Sequence, residues 1–248
     1  MRKVGIIGCG AIGSLIAKAA ESKIIKCDEL ILYDYNSEKA DSLHRSLRVQ
    51  STVVESVDEM ISHQPAIIVE AASQQAVKEY LHKILKAEIE VVVMSVGALL
   101  DMNVHNRLLH IPSGAIGGID AIASASLAGI NEISLTTRKN PQALKTNGHR
   151  ETVVYDGDAE TAVRLFPKEM NVAATLALTV RPQKVKVKVV SDPKIDMNVH
   201  EIKVIWKNGE MLLNFENDPH PENPGTSALA AWSAIKLLKD LLEQATKS

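Results

Sequence analysis

Apolar residues recur along the chain in two different rhythms. In the first third, short runs of Val, Ile and Leu alternate with amphipathic stretches. Val4 to Ile7, Glu29 to Tyr33, Ala66 to Glu70 and Glu90 to Ser95 are nearly continuous in apolar residues. Such runs mark strands buried on both faces of a parallel sheet. Between them, Ala11 to Ser22 places Ile12, Leu15, Ile16 and Ala19 on one helical face. Ser37 to Leu47 (with Asn36 or Ser37 as N-cap), Val57 to Ser62 and Gln74 to Lys86 also read as helices, and Val53 and Val54 are a candidate third strand. This alternation predicts a doubly wound parallel sheet with right-handed crossovers.

Near His110 the rhythm changes. The segment HIPSGAIGGID is rich in Gly with one Pro and reads as a loop or hinge. Beyond it the apolar positions fall at period two: Val185, Val187 and Val189 oppose Lys184, Lys186 and Lys188, and Ile202, Val204 and Trp206 alternate with polar residues. Asn208-Gly209 is a hairpin turn leading to Met211, Leu213 and Phe215 at the same period. One apolar face per strand predicts a second domain with a largely antiparallel sheet, covered by helices such as Ala159 to Leu165 and Val172 to Leu178. Thr226 or Ser227 caps a closing helix, Ala228 to Ala245, with Leu229, Trp232, Ile235, Leu238 and Leu242 at helical spacing. The expected division is 1–111, 112–225, and a helix in 226–248 that returns to pack on the first domain.

Composition narrows the classes of function. Among 248 residues, 28 Lys and Arg against 30 Asp and Glu leave a formal charge of -2. That balance argues against a nucleic-acid binder, whose phosphate contacts call for a basic excess. No apolar run approaches the roughly 20 residues that span a bilayer, and the short apolar stretch in MRKVGIIGCG does not make a secretion signal, so a cytoplasmic protein without membrane contact is expected. Cys9 and Cys27 form neither a disulfide framework nor a metal cluster, and no metal is expected. Only 3% of residues are aromatic, so the core is built from Val, Ile, Leu and Ala.

The first strand-to-helix junction carries Gly8-Cys9-Gly10-Ala11-Ile12-Gly13, a G-x-G-x-x-G in the context that gives it meaning. Gly8 permits a tight turn, Gly10 lets backbone approach a pyrophosphate, and Gly13 lets the helix lie close to the strand. The helix that opens at Ala11 and Ile12 presents amide donors and the positive end of its dipole. Asp34 follows Gly13 by 21 residues, at the end of the second strand, where a carboxylate accepts from the adenosine ribose. The pattern is that of a Rossmann dinucleotide-binding domain. A negative Asp34 repels a 2′-phosphate, which favours NAD while leaving NADP possible. Ala71 and Ser73, with the segment after Ser95, lie at the strand ends where ligands bind in open α/β sheets. Cys9 reads as a small residue tolerated in the turn.

Hydride transfer calls for a nearby proton donor or acceptor, most often His. Of the eight, His44, His63 and His82 fall in polar positions, His105 and His110 flank the hinge, and His149 lies in a polar loop. His200, at the start of a strand, and His220, in Asp218-Pro219-His220-Pro221-Glu222-Asn223-Pro224, both suit the role, and spacing does not choose between them.

An ordered set of motifs then resembles the L-aspartate dehydrogenase family. These are GCGAIG, Ser113 to Gly118 (SGAIGG), Phe166-Pro167 followed by Asn171-Val172-Ala173-Ala174, Asp192-Pro193 followed by Asn198-x-His200-x-Ile202, and Asn223-Pro224 followed by Thr226-Ser227. The resemblance implies a Rossmann domain joined to a catalytic and dimerising α/β domain, and oxidation of L-aspartate with NAD or NADP. Its product would be iminoaspartate, giving oxaloacetate and ammonia or supplying NAD biosynthesis. It further implies that Ala115 and Asn171 contact the dinucleotide, that His200 is the catalytic histidine, and that the protein is a homodimer. Where the family often has Lys in its last motif, this chain has Gly225. Two other readings share the domain plan or the cofactor: a reductase of the dihydrodipicolinate reductase or homoserine dehydrogenase kind, and a module that senses NAD(H) without turnover.

Overall fold

The structure, a computed structural model, describes residues 2–102, 104–220 and 223–244. Pro221 and Glu222 of the proline-rich loop, and Ala245 at the expected end of the last helix, lie outside the described residues. The chain divides into two compact units, one holding the described residues up to Pro112 together with those from Ala231, the other Ser113–Ala230.

The first unit alternates: β1 (Lys3–Ile7), α1 (Ala11–Glu21), β2 (Glu29–Tyr33), α2 (Ser37–Ser46), β3 (Ser51–Val53), α3 (Val57–Ser62), β4 (Ile67–Glu70), α4 (Gln74–Lys86) and β5 (Glu90–Val93), then a 3-10 turn (Val96–Leu100) and β6 (Leu109–His110). The strands form one parallel sheet in the order β3-β2-β1-β4-β5-β6. Consecutive residues such as Leu30, Ile31 and Leu32 are all fully buried, as a sheet covered on both faces requires. The helices start where side chains satisfy their first amides: Asn36 accepts from the Glu38 amide at 3.1 Å, Ser56 from Glu59 at 3.1 Å and Ser73 from Ala76 at 3.2 Å. His110, read above as flanking a hinge, ends the edge strand β6, too short for periodicity to reveal, two residues before the division at Pro112.

The second unit contains α5 (Ile119–Ala128), β7 (Ile130–Lys139), α6 (Pro141–Leu144), β8 (Thr152–Asp158), α7 (Ala159–Leu165), α8 (Asn171–Val180), β9 (Lys186–Ser191), β10 (Asn198–Trp206), β11 (Gly209–Asn217), β12 (Pro219–His220) and β13 (Asn223–Ser227). Its main sheet has the order β11-β10-β7-β9-β8, antiparallel at every pairing except β7 with β9. Helix α5 packs on β10, α7 on β8 and β9, and α8 against both helices. On the helix-covered face Ile133, Leu135, Val187, Val189, Ile202 and Val204 are buried. The opposite face carries ion pairs between strands, among them Lys203–Glu210, Lys186–Glu132 and Lys188–Asp156.

Three features differ from the sequence reading. The Gly-rich segment yields to α5 at Ile119, with Gly118 in the left-handed region at φ 71°. Strand β10 begins at Asn198, so His200 lies within the strand, not at its start. In the closing helix α9 (Ala228–Gln244), the buried stripe is Ala231, Ala234, Ile235, Leu238 and Leu242, whereas Leu229 and Trp232 are exposed. The two alanines let this helix approach its neighbours closely where a tryptophan would hold it off.

Candidate active site

In the first unit the strand order reverses beside β1, whose sequence neighbour β2 lies on one side and β4 on the other. Ligands of open α/β sheets bind at such a switch point, beyond the carboxyl ends of the strands. There the turn after β1 meets the loop after β4: the Ala71 amide donates to the Ile7 carbonyl at 2.8 Å. A Cβ on Gly8, which has φ +97°, would lie 2.7 Å from the Ala71 carbonyl oxygen. A Cβ on Gly13 would lie 1.9 Å from the Gly8 carbonyl oxygen, so α1 sits where only glycine admits it. Gly10 is different, for a Cβ there would meet nothing within 4 Å. The turn is thus closed at Gly8 and Gly13 and open at Gly10, beside the N-terminus of α1 that Ala11 and Ile12 begin. That opening fits a pyrophosphate.

Asp34 follows β2 and reaches the same turn: its Oδ2 accepts from the Cys9 amide at 2.8 Å and its Oδ1 from the Asn36 amide at 2.9 Å. A carboxylate has about four acceptor positions, so lone pairs remain for a ribose. Cys9 is buried, and that burial, aided by Asp34, pushes its thiol up to about 12. It is inert packing in the turn. The loop carrying Ala71 and Ser73 is held by the residue that opens it. Buried Glu70 accepts from the amides of Ala72 and Ser73, both at 2.8 Å, and from the Ser95 amide at 3.0 Å and hydroxyl at 2.9 Å. One carboxylate thereby ties together the loops after β4 and β5, while burial raises its pKa against the pull of those donors.

In the second unit, His200 alone of the eight histidines is buried, at 2% exposure. Its strand partners are Thr137 on β7 and Phe215 on β11. The Thr137 hydroxyl lies 3.1 Å from Nδ1, in hydrogen-bond contact. Burial first, and then the positive charge of Lys139, bring the imidazole down to about 3. Lys139, two residues beyond Thr137 on the same buried face, is itself held down to about 8 by burial, opposed by Glu169. Asn198 and Ser191 are buried at the same end of the sheet.

The SGAIGG segment lies against β11, next to the His200 strand. The Asn217 side-chain amide donates to the Ala115 carbonyl at 3.2 Å, and a Cβ on Gly117 would touch the Phe215 ring at 3.5 Å. Asn171 opens α8, which packs on α5, the helix following this segment. His220 is half-buried in β12, outside the five-stranded sheet. His110 lies 3.2 Å from Glu90 Oε2, without hydrogen-bond alignment, and the others are exposed or half-buried. Thr137 and Lys139 escaped the sequence reading, although Ile133, Leu135, Thr137 and Lys139 continue one period-two alternation that points to them. Among the described residues, no cluster of three or more His, Cys, Asp or Glu is placed to hold a metal, and no helix is long and apolar enough to cross a membrane.

Comparison with known proteins also divides the chain after residue 112. Residues 120–241 match the family model described as aspartate dehydrogenase, C-terminal, and residues 8–112 match the NAD-binding domain of homoserine dehydrogenase. The chain is 40% identical to the L-aspartate dehydrogenase of Methanosarcina mazei, over 98% of this chain and 97% of that one. It is also 40% identical to the L-aspartate dehydrogenase of Methanococcus maripaludis, over 98% of both chains. The crystal structure of aspartate dehydrogenase from Thermotoga maritima superposes with a TM-score of 0.77 at 28% identity, covering 97% of each chain. The open glycine turn is that of an NAD-binding domain, the buried histidine lies in the half that matches aspartate dehydrogenases, and the chain belongs to the L-aspartate dehydrogenase family.

Proposed function

We propose that this protein oxidises L-aspartate with NAD, giving iminoaspartate, which water converts to oxaloacetate and ammonia, and that His200 is its general base. The observation that carries this reading is a lone buried histidine, set among polar groups on an otherwise apolar sheet face, in a chain whose relatives are aspartate dehydrogenases. Bound NAD supplies the acceptor for the Cα hydride. Gly8, Gly10 and Gly13, with the amides at Ala11 and Ile12, hold its pyrophosphate, Asp34 its adenosine ribose, and Ala71, Ser73, Ala115 and Asn171 its remaining length. The negative charge of Asp34 favours NAD over NADP.

In the tautomer whose Nδ1–H donates to Thr137, His200 keeps a lone pair on Nε2. That nitrogen takes the proton the amine loses as the C=N bond forms, or the proton of the water that adds to it. Loss of one hydride and one proton from aspartate leaves the imine; addition of water and departure of ammonia leave the keto acid. The same reading places the enzyme in the cytoplasm as a homodimer built on the second unit, its imine supplying NAD biosynthesis. Light scattering on the purified protein should then give twice the chain mass.

The test is a substrate panel in which reduced cofactor is followed by absorbance. L-aspartate should support NAD reduction, and homoserine or a dihydrodipicolinate precursor should not. Turnover of homoserine at a comparable rate would move the protein to the reductase reading, which the NAD-binding match over residues 8–112 alone would allow. Cofactor binding without turnover of any of these would leave a sensing module.

A further inference from the structure

Glu70 ends β4 after Ile67, Ile68 and Val69, all buried, and is itself 2% exposed. In the ladders on either side of β4 it is the last rung, opposite Ile7 on β1 and Val93 on β5. Past Ala71 and Met94, whose amides still bond the sheet at 2.8 and 2.9 Å, the Glu70 side chain takes over from the backbone. Its Oε1 accepts from the amides of Ala72 and Ser73 and from the Ser95 hydroxyl, and its Oε2 accepts from the Ser95 amide. Ala72 and Ser73 are themselves exposed, so a surface loop is fastened from beneath.

A buried carboxylate is a costly way to fill the end of a strand, because its charge gives up hydration and an apolar side chain does not. Here the cost is offset by four hydrogen bonds, and since every partner donates, the arrangement accepts the ionised acid. The sheet order shows which part of a cofactor these loops face. Along the carboxyl edge the strands run β2, β1, β4, β5. In the proposed site the pyrophosphate lies on the glycine turn after β1, and Asp34 after β2 takes the adenosine ribose. A dinucleotide crossing the switch point extends to the other side, so its nicotinamide half falls over the loops after β4 and β5. Those are the loops that Glu70 joins.

We infer that Glu70 is the positioning residue for the nicotinamide half of the cofactor, acting through the backbone of Ala72, Ser73 and Ser95. This rests on the proposed placement of NAD along the edge of the first sheet. Hydride transfer needs the ring held at a fixed distance and angle from the substrate carbon, and a misplacement of about 1 Å costs about 100-fold in rate. Loops at a sheet edge are the more mobile part of such a fold. One carboxylate bonded to both makes them a single floor, so neither loop shifts without the other. The adenosine half is held separately, by Asp34 and the glycine turn, and does not depend on Glu70.

The probe is ADP-ribose, which carries everything in NADH except the nicotinamide ring. Dissociation constants of both are measured by calorimetry, and the emission of bound NADH reports whether the ring is held. Wild type should bind ADP-ribose at least about tenfold more weakly than NADH. In Glu70→Gln the side-chain oxygen still takes the Ala72 and Ser73 amides, but an N–H now faces the Ser95 amide and the two loops part. NADH affinity should then fall at least about fivefold while ADP-ribose stays within about twofold of wild type, and bound NADH should emit more like the free cofactor. Ser95→Ala removes the hydroxyl bond alone and should weaken NADH against ADP-ribose by about threefold. A fold merely loosened by either change would weaken both ligands alike. Equal losses for the two ligands overturn the inference, as does an unchanged NADH affinity in Glu70→Gln or a wild type that binds both ligands equally. Should Glu70→Gln fail to fold, Ser95→Ala decides by the same comparison. Equal losses, with wild type oxidising aspartate, would sink this inference and leave the proposed activity standing. Selective loss of NADH, with a wild type that does not oxidise aspartate, would do the reverse.

Discussion

Asp34 and Cys9 are joined by a hydrogen bond of 2.8 Å from the Cys9 amide to the Asp34 carboxylate, so the acid at the end of β2 also fastens the glycine turn after β1. Holding the turn and its proposed task of reading the cofactor are separable by substitution. Asp34→Asn keeps an acceptor for the turn and removes the charge. The ratio of NADP to NAD dissociation constants, measured by fluorescence titration, should then fall at least about tenfold, because one charge repulsion of about 1.4 kcal/mol is worth that factor. A ratio unchanged from wild type would mean that Asp34 does not face the ribose.

Gly10 and Gly13 differ in what surrounds them, and their alanine variants should fail in different ways. Gly13→Ala places a methyl 1.9 Å from a backbone oxygen that cannot rotate aside, so a loss of about 3 kcal/mol in unfolding free energy is expected in urea denaturation without cofactor. Gly10→Ala meets open space, so its stability should stay within about 0.5 kcal/mol of wild type while NAD affinity drops at least about tenfold. Undiminished NAD binding by Gly10→Ala would remove the pyrophosphate from that position.

That contrast also indicates what the sequence makes legible. Spacing alone placed the glycine turn and Asp34, because a cofactor constrains backbone at fixed intervals and few other functions do. Period two placed the apolar half of β10, which extends three residues further back than that pattern reached. Lys139 stayed hidden because nothing in a lysine's identity announces burial, although the alternation that starts at Ile133 reaches it. The closing helix misled in the opposite sense: Trp232, its most apolar-looking residue, is exposed, and the contact is made by Ala231 and Ala234. Side-chain size suggests burial, but close approach between packed elements favours the smallest residue.

In the proposed mechanism Thr137 positions His200 through its contact with Nδ1. Thr137→Val, nearly the same shape, removes the hydroxyl 3.1 Å from Nδ1. One such buried hydrogen bond is worth about 1 kcal/mol, so kcat should fall by about fivefold to tenfold with KM for aspartate little changed. Thr137→Ser should restore most of it. A change confined to KM would argue that Thr137 serves substrate binding instead.

His200 also leaves a signature in stability. Its folded-state pKa of about 3 lies below the ordinary 6.5, so the unfolded chain takes up the proton first as pH falls. The contribution to stability is complete above pH 6.5 and is lost progressively down to about pH 3. Between pH 7 and pH 5 wild type should lose about 2 kcal/mol more than His200→Gln in paired urea denaturations. Parallel losses in the two proteins would show that the ring is hydrated in the folded chain.

The role of His200 is tested most directly by the turnover of His200→Ala with saturating L-aspartate and NAD, followed through the absorbance of reduced cofactor, alongside its NAD dissociation constant. A well-placed acid–base group contributes about 10²–10⁴-fold, so kcat should drop by that factor while NAD binds as in wild type. Turnover within threefold of wild type, with the protein folded and NAD bound, would contradict a general base at position 200.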